Sequence, residues 1–401
     1  MRPMPDGLFA TVITAFDEES VLERAASSVR ELGEVHISVD RASTDGSARL
    51  ARKLADEVYF HTGLPANPPT EDDPDSAKAL NSYARMRNDV LAEVEERTNA
   101  AWLMWLDADE FVLHGADVLH PTLAQLPDDV QVVAIPMELY AANGQRLHLL
   151  RNSKIIRRGS RFVRRRHEHV VMTGAQFRCD EFALAHWPSQ PNPVRMSHDL
   201  RKGQYEAFEA DWKEFGDSRA AFYIANYWAN GGHAQTALRW YEAGLALPAP
   251  LQAGLAPGQI ETYAAKIYLA VGNPNRARNL LFKALEADWT CGPVMFYLGG
   301  IAANNGQFDE AKHWFELAQQ WPEIPASVME TEMGFTRGMP LYGLASVAHK
   351  QGDRAEAYRL LRLAEAAMPC PEPRFAQLRQ KLDEDETDGL LHGRADTRNA
   401  A

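Results

Sequence analysis

The second half of the chain repeats one pattern four times. A glycine is followed five residues later by an alanine, and a small residue stands seven positions before the glycine. The glycines are Gly232, Gly272, Gly306 and Gly352, and the alanines are Ala237, Ala277, Ala311 and Ala357. Glycine turns between segments with small residues predict pairs of antiparallel helices that approach closely. Because each pair can bury its apolar face only against a neighbouring pair, this pattern requires a helical stack.

The pattern resembles the tetratricopeptide repeat. Successive glycines are separated by 40, 34 and 46 residues, so two units would carry insertions relative to the typical repeat of about 34 residues. The resemblance implies a tetratricopeptide-repeat helical domain over residues 206–382, with a concave groove that holds a peptide or protein partner and a capacity for self-association. The polar segment 383–401 is predicted to be a disordered tail.

Residues before about 205 alternate between strand and helix patterns. The segments "LFATVITAF", "EVHISVD", "EVYFH" and "AWLMWLD" are rich in β-branched and aromatic residues, and helical patterns separate them. This alternation predicts an α/β domain over residues 1–205 with a mainly parallel sheet. Ligands of such sheets bind beyond the carboxyl ends of the strands. Residues 62–77, rich in Pro, Asp and Gly, predict a loop that is either a surface insertion or a lid.

Composition narrows the class of protein. The 401 residues carry a formal net charge of -13, which argues against nonspecific binding of nucleic acid or an anionic membrane by the whole surface. The three cysteines are far apart and suit a reducing compartment. No apolar run approaches the roughly 20 residues of a membrane span, and the first residues lack the pattern of a signal peptide. We therefore expect a cytoplasmic protein.

The segment "AWLMWLDADEF" runs from an apolar strand directly into three acids. Carboxylates held close together repel one another unless a cation joins them. Asp107 and Asp109 flank one residue, as a pair of metal ligands would, and hard oxygen ligands suit Mg²⁺ or Mn²⁺. The spacing therefore predicts a metal site at the end of this strand.

Together these motifs resemble the family-2 glycosyltransferases of the GT-A fold. The resemblance rests, in chain order, on "VITAFDEE", "VDRASTDGS", "ARMRN", "MWLDADEF", "RRHEHV" and "RMSHD". Members of this family that are joined to tetratricopeptide repeats include peptide S-glycosyltransferases of the sublancin type. The resemblance implies an enzyme: metal-dependent, inverting transfer of a hexose from a nucleotide sugar, expected to be a UDP-sugar, to a peptide, protein or glycan acceptor.

The resemblance also implies a role for each matching residue. Asp40 would bind the nucleoside, with Asp17 and Glu18 nearby, and Arg87 would meet the diphosphate. Asp107 would contact the ribose or metal-bound water. The predicted metal ligands are Asp109 and His198, with His186 as the rival of His198. The predicted general base is Glu168, with Glu110 as the second choice.

Each assignment has an alternative. Glu168 could form a structural ion pair with a neighbouring arginine, and His198 could cap a helix. The basic run 151–166, "RNSKIIRRGSRFVRRR", could hold an anionic acceptor or could be a solvated edge hairpin. At the level of function, the alternative is a tetratricopeptide-repeat binding scaffold whose nucleotide-sugar-binding domain is catalytically idle.

Overall fold

The structure, a computed structural model, describes residues 8–62, 83–141, 143–144, 146–165, 167–187, 198–252, 255–320, 331–332, 337–368 and 372–396. The chain divides into two compact units. The first comprises residues 1–144 and 150–254, and the second comprises residues 145–149 and 255–401. The predicted loop or lid at 62–77 lies, apart from residue 62, outside the described residues.

The first unit is built on a twisted sheet. Its strands are β1 (Phe9–Ala15), β2 (Glu34–Asp40), β3 (Glu57–His61), β4 (Trp102–Asp107), β5 (Glu110–His114), β6 (Val130–Tyr140), β7 (Arg146–Arg157), β10 (Ala175–Arg178) and β11 (Ala183–His186). A separate short hairpin pairs β8 (Phe162–Val163) with β9 (His169–Val170). The strand order is β3-β2-β1-β4-β7-β6-β11-β5, with β10 beside β6. The strands β1 and β4 therefore lie inside the sheet, which explains why their sequences are almost continuously apolar.

The sheet is mixed, with five parallel and three antiparallel pairs among the described registers, and the predicted GT-A fold is wrong. The strands β1, β2, β3 and β4 pair in parallel, but β7 runs antiparallel to β4, and β11 runs antiparallel to β5. A parallel pair needs a long crossover, usually a helix, whereas a short connection returns the chain in the opposite direction. After β4 the strand β5 begins within three residues, so this half of the sheet could not continue the βαβ alternation.

Among the described residues, the helices of the first unit before the repeats precede or follow these strands. They are α1 (Glu19–Val29), α2 (Ser47–Leu54), α3 (Tyr83–Arg97), α4 (Ala116–Leu123) and α5 (His198–Phe215). The helix α1 buries Val21, Leu22, Ala25, Ala26 and Val29 on one side, the spacing of an amphipathic surface helix. These residues join one core cluster with β1, β2 and β4, while Val90, Leu91 and Val94 of α3 join a second cluster with Trp105.

The helical repeats predicted from the glycine pattern are present. One pair, α6 (Ser218–Asn230) and α7 (Ala234–Leu245), belongs to the first unit. The second unit contains the pairs α8 (Gln259–Ala270) with α9 (Pro274–Ala287), α10 (Gly292–Asn304) with α11 (Phe308–Gln320), and α12 (Gly338–Lys350) with α13 (Arg354–Ala367). The four repeat glycines have φ between 75° and 80°. This left-handed conformation is the one that glycine adopts without steric cost at a helix end.

Small residues bring neighbouring repeat helices together. Phe315 of α11 is only 2% exposed, and its ring lies against two glycines on different helices. A Cβ atom added at Gly299 of α10 would stand 2.6 Å from the Phe315 ring, and one added at Gly343 of α12 would stand 2.5 Å from it. The ring of Phe315 therefore fills the space between α10 and α12 that the missing side chains leave.

The second unit ends in the helix α14 (Pro373–Asp396), which extends into the segment assigned from sequence to a tail. Phe375, Leu378 and Leu382 of α14 are buried in the same cluster as Phe315. The short strand β12 (Thr331–Glu332) pairs antiparallel with residues 148–149 of β7. None of the described helices combines the length and apolar character needed to cross a membrane.

Candidate functional site

The three acids that follow β4 are held by basic side chains. The Nζ atom of Lys154, on β7, lies 2.7 Å from Oε2 of Glu110 and 3.6 Å from Oδ2 of Asp107. The side chains of Lys154 and Glu110 are only 6% and 3% exposed. Burial lowers the pKa of Lys154, but the two carboxylates raise it by more, so its pKa lies above the usual value. Lys154 therefore supplies positive charge at the point where the sequence predicts a metal ion.

Arg87, on α3, supplies a second positive charge. Its guanidinium lies 2.6 Å from Oε1 of Glu168 and 3.6 Å from Oδ1 of Asp107. The same group stacks at 4.8 Å on the ring of Trp105 and at 5.2 Å on the ring of Phe162. Burial raises the pKa of Asp107, but Lys154 and Arg87 lower it by more, so the pKa of this carboxyl lies well below its usual range. Asp107 is therefore ionised near neutral pH.

Glu168 forms the structural ion pair with an arginine that was the alternative to its role as a general base. The side chains of Arg87 and Glu168 are 12% and 10% exposed, so both lie largely out of water while they pair. Removing one partner of such a pair leaves a buried charge, which is strongly destabilising. The role of Glu168 as a general base stays a prediction, as does that of Glu110, which pairs with Lys154.

Asp109 is paired with a histidine of a neighbouring strand. Oδ2 of Asp109 lies 3.2 Å from Nε2 of His186, which ends β11. Burial lowers the pKa of His186, but its hydrogen bond to Asp109 and the charges of the three acids raise it by more. His186 was the weaker of the two histidines in the sequence analysis. The side chain of His198 is outside the described residues.

The cluster does not form a metal centre within the described part of the chain. There, no group of three or more His, Cys, Asp and Glu side chains is arranged to hold a metal ion. The prediction of a metal-binding Asp-x-Asp site is therefore wrong for these residues, because Lys154, Arg87 and His186 occupy the carboxylates. Binding of Mn²⁺ or Mg²⁺ and of a UDP-sugar as cofactor and donor stays a prediction.

The acids predicted to bind a nucleoside shape the turn after β2. Oδ1 of Asp17 accepts hydrogen bonds from the backbone N–H groups of Thr44, at 2.7 Å, and Asp45, at 3.3 Å. Oδ1 of Asp40 accepts one from the N–H of Ala42 at 2.8 Å. The backbone N–H of Glu18 donates to Oγ of Ser47 at 2.9 Å. These bonds are ordinary turn chemistry, and the nucleoside role of the three acids stays a prediction.

The basic run 151–166 serves the fold. Its first part, up to Arg157, lies on β7 between β4 and β6 and so is not at an edge, whereas the rest leads into the separate β8–β9 hairpin. Its ion pairs are Arg151–Asp180, Arg161–Glu95, Arg164–Asp217, Arg165–Asp211 and Arg165–Glu214. Internal carboxylates thus pair with four arginines of this run, and the hypothesis that the run holds an anionic acceptor stays a prediction.

A second candidate surface lies on the repeats of the second unit. Gly300 of α10 is half-buried, yet a Cβ atom added there would have no neighbour within 4 Å. Four residues further on, Oδ1 of Asn304 accepts a hydrogen bond at 2.9 Å from Nζ of Lys350, at the end of α12. The ring of Tyr342, on α12, stacks on Phe375 with centroids 5.2 Å apart. We call Tyr297, Gly300, Asn304, Tyr342 and Lys350 the α10–α12 surface.

Comparison with known proteins gives structural matches of low sequence identity. No protein-family model matches the chain, and no curated protein matches it. Among similar solved structures, MamA is 12% identical, with 45% of this chain and 95% of MamA covered at a TM-score of 0.35. YrrB, described as a TPR protein with an unusual peptide-binding site, is 16% identical over 47% of this chain and 88% of its own, at a TM-score of 0.35. BtubC from P. vanneervenii is 16% identical over 45% and 80%, at 0.36.

These findings correct the assignment made from sequence motifs. The similar structures named above are not glycosyltransferases, and no family model supports that family. The prediction of a family-2 glycosyltransferase is therefore wrong, and so is the prediction that the chain is a hexosyltransferase enzyme. The motifs misled because an apolar strand that ends in acids also suits a buried ion-pair cluster, for which Lys154 supplies the counter-charge. Low identity and low TM-scores give no information about partners or activity.

Proposed function

We propose that the protein is a repeat-based binding scaffold that holds a peptide segment of a partner protein on the α10–α12 surface. The observation that carries this proposal is Gly300. Glycine inside a helix is less stable than alanine by about 0.5–1 kcal/mol. At the preceding position, Gly299, the Phe315 ring accounts for the glycine. At Gly300 no atom of the described chain does so.

Open space above a helix glycine lets another backbone approach closely. Glycine is the default residue at such places, since it has no Cβ atom to hold the other chain away. Tyr297 and Asn304 stand three residues before and four residues after Gly300, so they lie on the same face of α10. The approach to Gly300 is therefore bordered by an aromatic ring at one end and by an amide at the other.

Lys350 adds a charge to this face. Its ammonium donates to Oδ1 of Asn304 at 2.9 Å and to the backbone O of Ala303 at 3.2 Å. Both acceptors are neutral, and no ion pair within the described residues includes Lys350. An ammonium carries three donors, so one N–H remains for an acidic side chain or a terminal carboxylate of the bound peptide.

Repeat arrays are suited to this task because their stacked helices present an extended surface rather than a closed pocket. YrrB is described as having a peptide-binding site, and that statement concerns YrrB alone. For the present chain, the support comes from Gly300, Asn304 and Lys350. Binding of a protein partner through these residues fits the alternative function considered in the sequence analysis.

Selection of random peptides displayed on phage against the full chain tests the proposal. We expect enriched peptides to bind the wild-type protein and to bind Gly300→Leu at least about tenfold more weakly. The leucine would fill the approach above α10 without meeting an internal atom. The matched control is Ala366→Leu, which places the same side chain on an exposed position of α13. Circular dichroism should show that both variants keep the helical content of the wild type.

Two results would contradict the proposal. Either no peptide is enriched on the wild-type protein, or the enriched peptides bind Gly300→Leu and Ala366→Leu equally well. A dependence on Lys350→Met that appears only for peptides with an acidic residue would further identify which end of the peptide lies near Asn304.

A further inference from the structure

One edge of the sheet in the first unit lies at β3, the first strand in the order β3-β2-β1-β4-β7-β6-β11-β5. This strand pairs with β2 on one side, and no other described strand pairs with it. One row of its backbone N–H and C=O groups therefore has no strand beside it within the described residues. Such an edge can accept a further strand, which gains main-chain hydrogen bonds along its whole length.

A groove of 430 Å³ runs along this edge, between β3 and α3. Its lining residues are Arg41, Glu57, Val58, Tyr59, Phe60, Glu93, Glu96 and Arg97. Glu93, Glu96 and Arg97 are spaced three and four residues apart on α3, so they share one face of that helix. The groove thus has a sheet edge as one wall and a charged helix face as the other.

Three of the lining residues are carboxylates without a counter-ion. Glu57, Glu93 and Glu96 are exposed, and no ion pair within the described residues includes any of them. Two of these charges act on Tyr59, whose pKa burial and then the charge of Glu57 raise to about 12; Arg97 opposes them, and Glu93 adds a smaller increase. The charged lining residues are three carboxylates and the guanidinium groups of Arg41 and Arg97, so the groove carries a net negative charge beside backbone that no described strand pairs with.

We propose that the β3–α3 groove binds an extended segment of a partner protein that adds to β3 as a strand and carries lysine or arginine at alternate positions. Alternate residues of a strand point to the same face, so every second side chain would meet Glu57, Glu93 or Glu96. The main chain would supply affinity and the basic side chains would supply selectivity. This site is separate from the α10–α12 surface and does not depend on it.

The charge of the groove decides between classes of partner. Nucleic acid and anionic lipid present phosphates, which the excess of carboxylates over guanidinium groups in the groove disfavours. An acidic or neutral strand could pair with the backbone of β3 but would gain nothing from the helix wall. A basic extended segment can form hydrogen bonds with the backbone of β3 and ion pairs with the carboxylates of the groove, so we propose this class of partner.

The probe is a fluorescein-labelled synthetic peptide in which lysine alternates with threonine and valine. Its binding to the full chain is measured by fluorescence anisotropy at low and at moderate salt. We expect saturable binding that weakens as salt rises. A peptide with glutamate in place of lysine should not bind, and a lysine peptide with N-methylated backbone amides should bind at least about tenfold more weakly, because it cannot complete the strand ladder.

Protein variants localise the site. Glu57→Gln/Glu93→Gln/Glu96→Gln should weaken binding of the lysine probe at least about tenfold. The matched control, Glu23→Gln/Glu31→Gln/Asp128→Asn, removes the same charge from three exposed positions outside the groove and should bind like the wild type. Because the substituted residues are exposed in both variants, both should fold.

Four results would overturn the proposal. These are absence of binding by the lysine probe, equal binding by the N-methylated probe, equal weakening in the control variant, and a dimer of the free chain that the triple glutamine variant dissociates. The last result, read by sedimentation velocity, would mean that a second copy of the chain occupies the groove.

Discussion

The adjacent glycines Gly299 and Gly300 of α10 provide a sharp test of how the repeats are packed. Both stand in the same turn of one helix, so alanine gains the same helix propensity at either position. The surroundings differ completely. The added Cβ atom would meet the Phe315 ring at 2.6, 2.8 and 2.9 Å in Gly299→Ala, and nothing within 4 Å in Gly300→Ala.

The magnitudes follow from these distances. Gly300→Ala should raise the free energy of unfolding by about 0.5–1 kcal/mol, the propensity difference alone. Gly299→Ala receives the same gain but overpacks a buried ring, which typically costs about 1–3 kcal/mol. The ring cannot retreat, because Gly343 borders it on its other side, where an added Cβ atom would lie 2.5 Å from the ring. The difference between the two variants should therefore be about 1–3 kcal/mol, with Gly299→Ala the less stable.

Urea denaturation followed by circular dichroism measures this difference in the full chain. The transition that the two substitutions move identifies the repeat unit, since both lie in α10. Phe315→Leu in the Gly299→Ala background serves as the control, because a smaller side chain should recover part of the loss. If Gly299→Ala and Gly300→Ala shift the transition equally and in the same direction, the Phe315 ring does not occupy the position described.

Two further predictions concern buried charge in the first unit. Lys154→Met leaves the carboxylate of Glu110 buried without its partner, so the free energy of unfolding should fall by about 3–5 kcal/mol. In chemical denaturation, the double variant Lys154→Met/Glu110→Leu should recover much of this loss. A single variant as stable as the wild type would refute the pairing. Burial, followed by the charges of Arg219 and Arg164, lowers the pKa of His169 from 6.5 to about 4. Between pH 4 and 6.5 the unfolded chain therefore binds more protons than the folded chain. The contribution of His169 to the free energy of unfolding is complete above about pH 6.5 and falls by up to about 3 kcal/mol as the pH falls towards 4. Denaturation of the wild type and of His169→Gln across this pH range should show that the free energy of unfolding depends less on pH in the variant. Equal pH dependence in both proteins would contradict the prediction.

The acids after β4 show which features of the candidate site the sequence pattern could predict. The sequence indicated that Asp107, Asp109 and Glu110 follow a buried strand and need positive charge nearby, and the structure places positive charge there. It did not indicate the source of that charge. Lys154 is 44 residues away from Glu110 in the chain and was counted with the arginines of a basic run. The signal that could have separated it was its place on a strand beside apolar neighbours, Ile155 and Ile156.

The assignment of Arg87 illustrates the same limit. Its charge suggested a phosphate contact, whereas its guanidinium lies against the rings of Trp105 and Phe162 and pairs with Glu168. A single side chain offers the same chemistry to a ligand and to an internal carboxylate. Whether Arg87 binds a ligand or an internal carboxylate depends on residues that the fold brings together from α3, β4 and the β8–β9 hairpin. No local sequence pattern predicts those contacts.

The sequence by itself determined the local structure of the repeats. The glycine at each turn, the small residue before it and the alanine after it follow from the conformational freedom of glycine and the spacing of one helix face, so they are visible over a few residues. Only the tertiary structure decided that Phe315 fills the gap between Gly299 and Gly343, that β7 runs antiparallel beside β4, and that Lys154 neutralises the acids after β4. These are contacts between distant segments, and their energies depend on the distances and burial that exist only after the chain has folded.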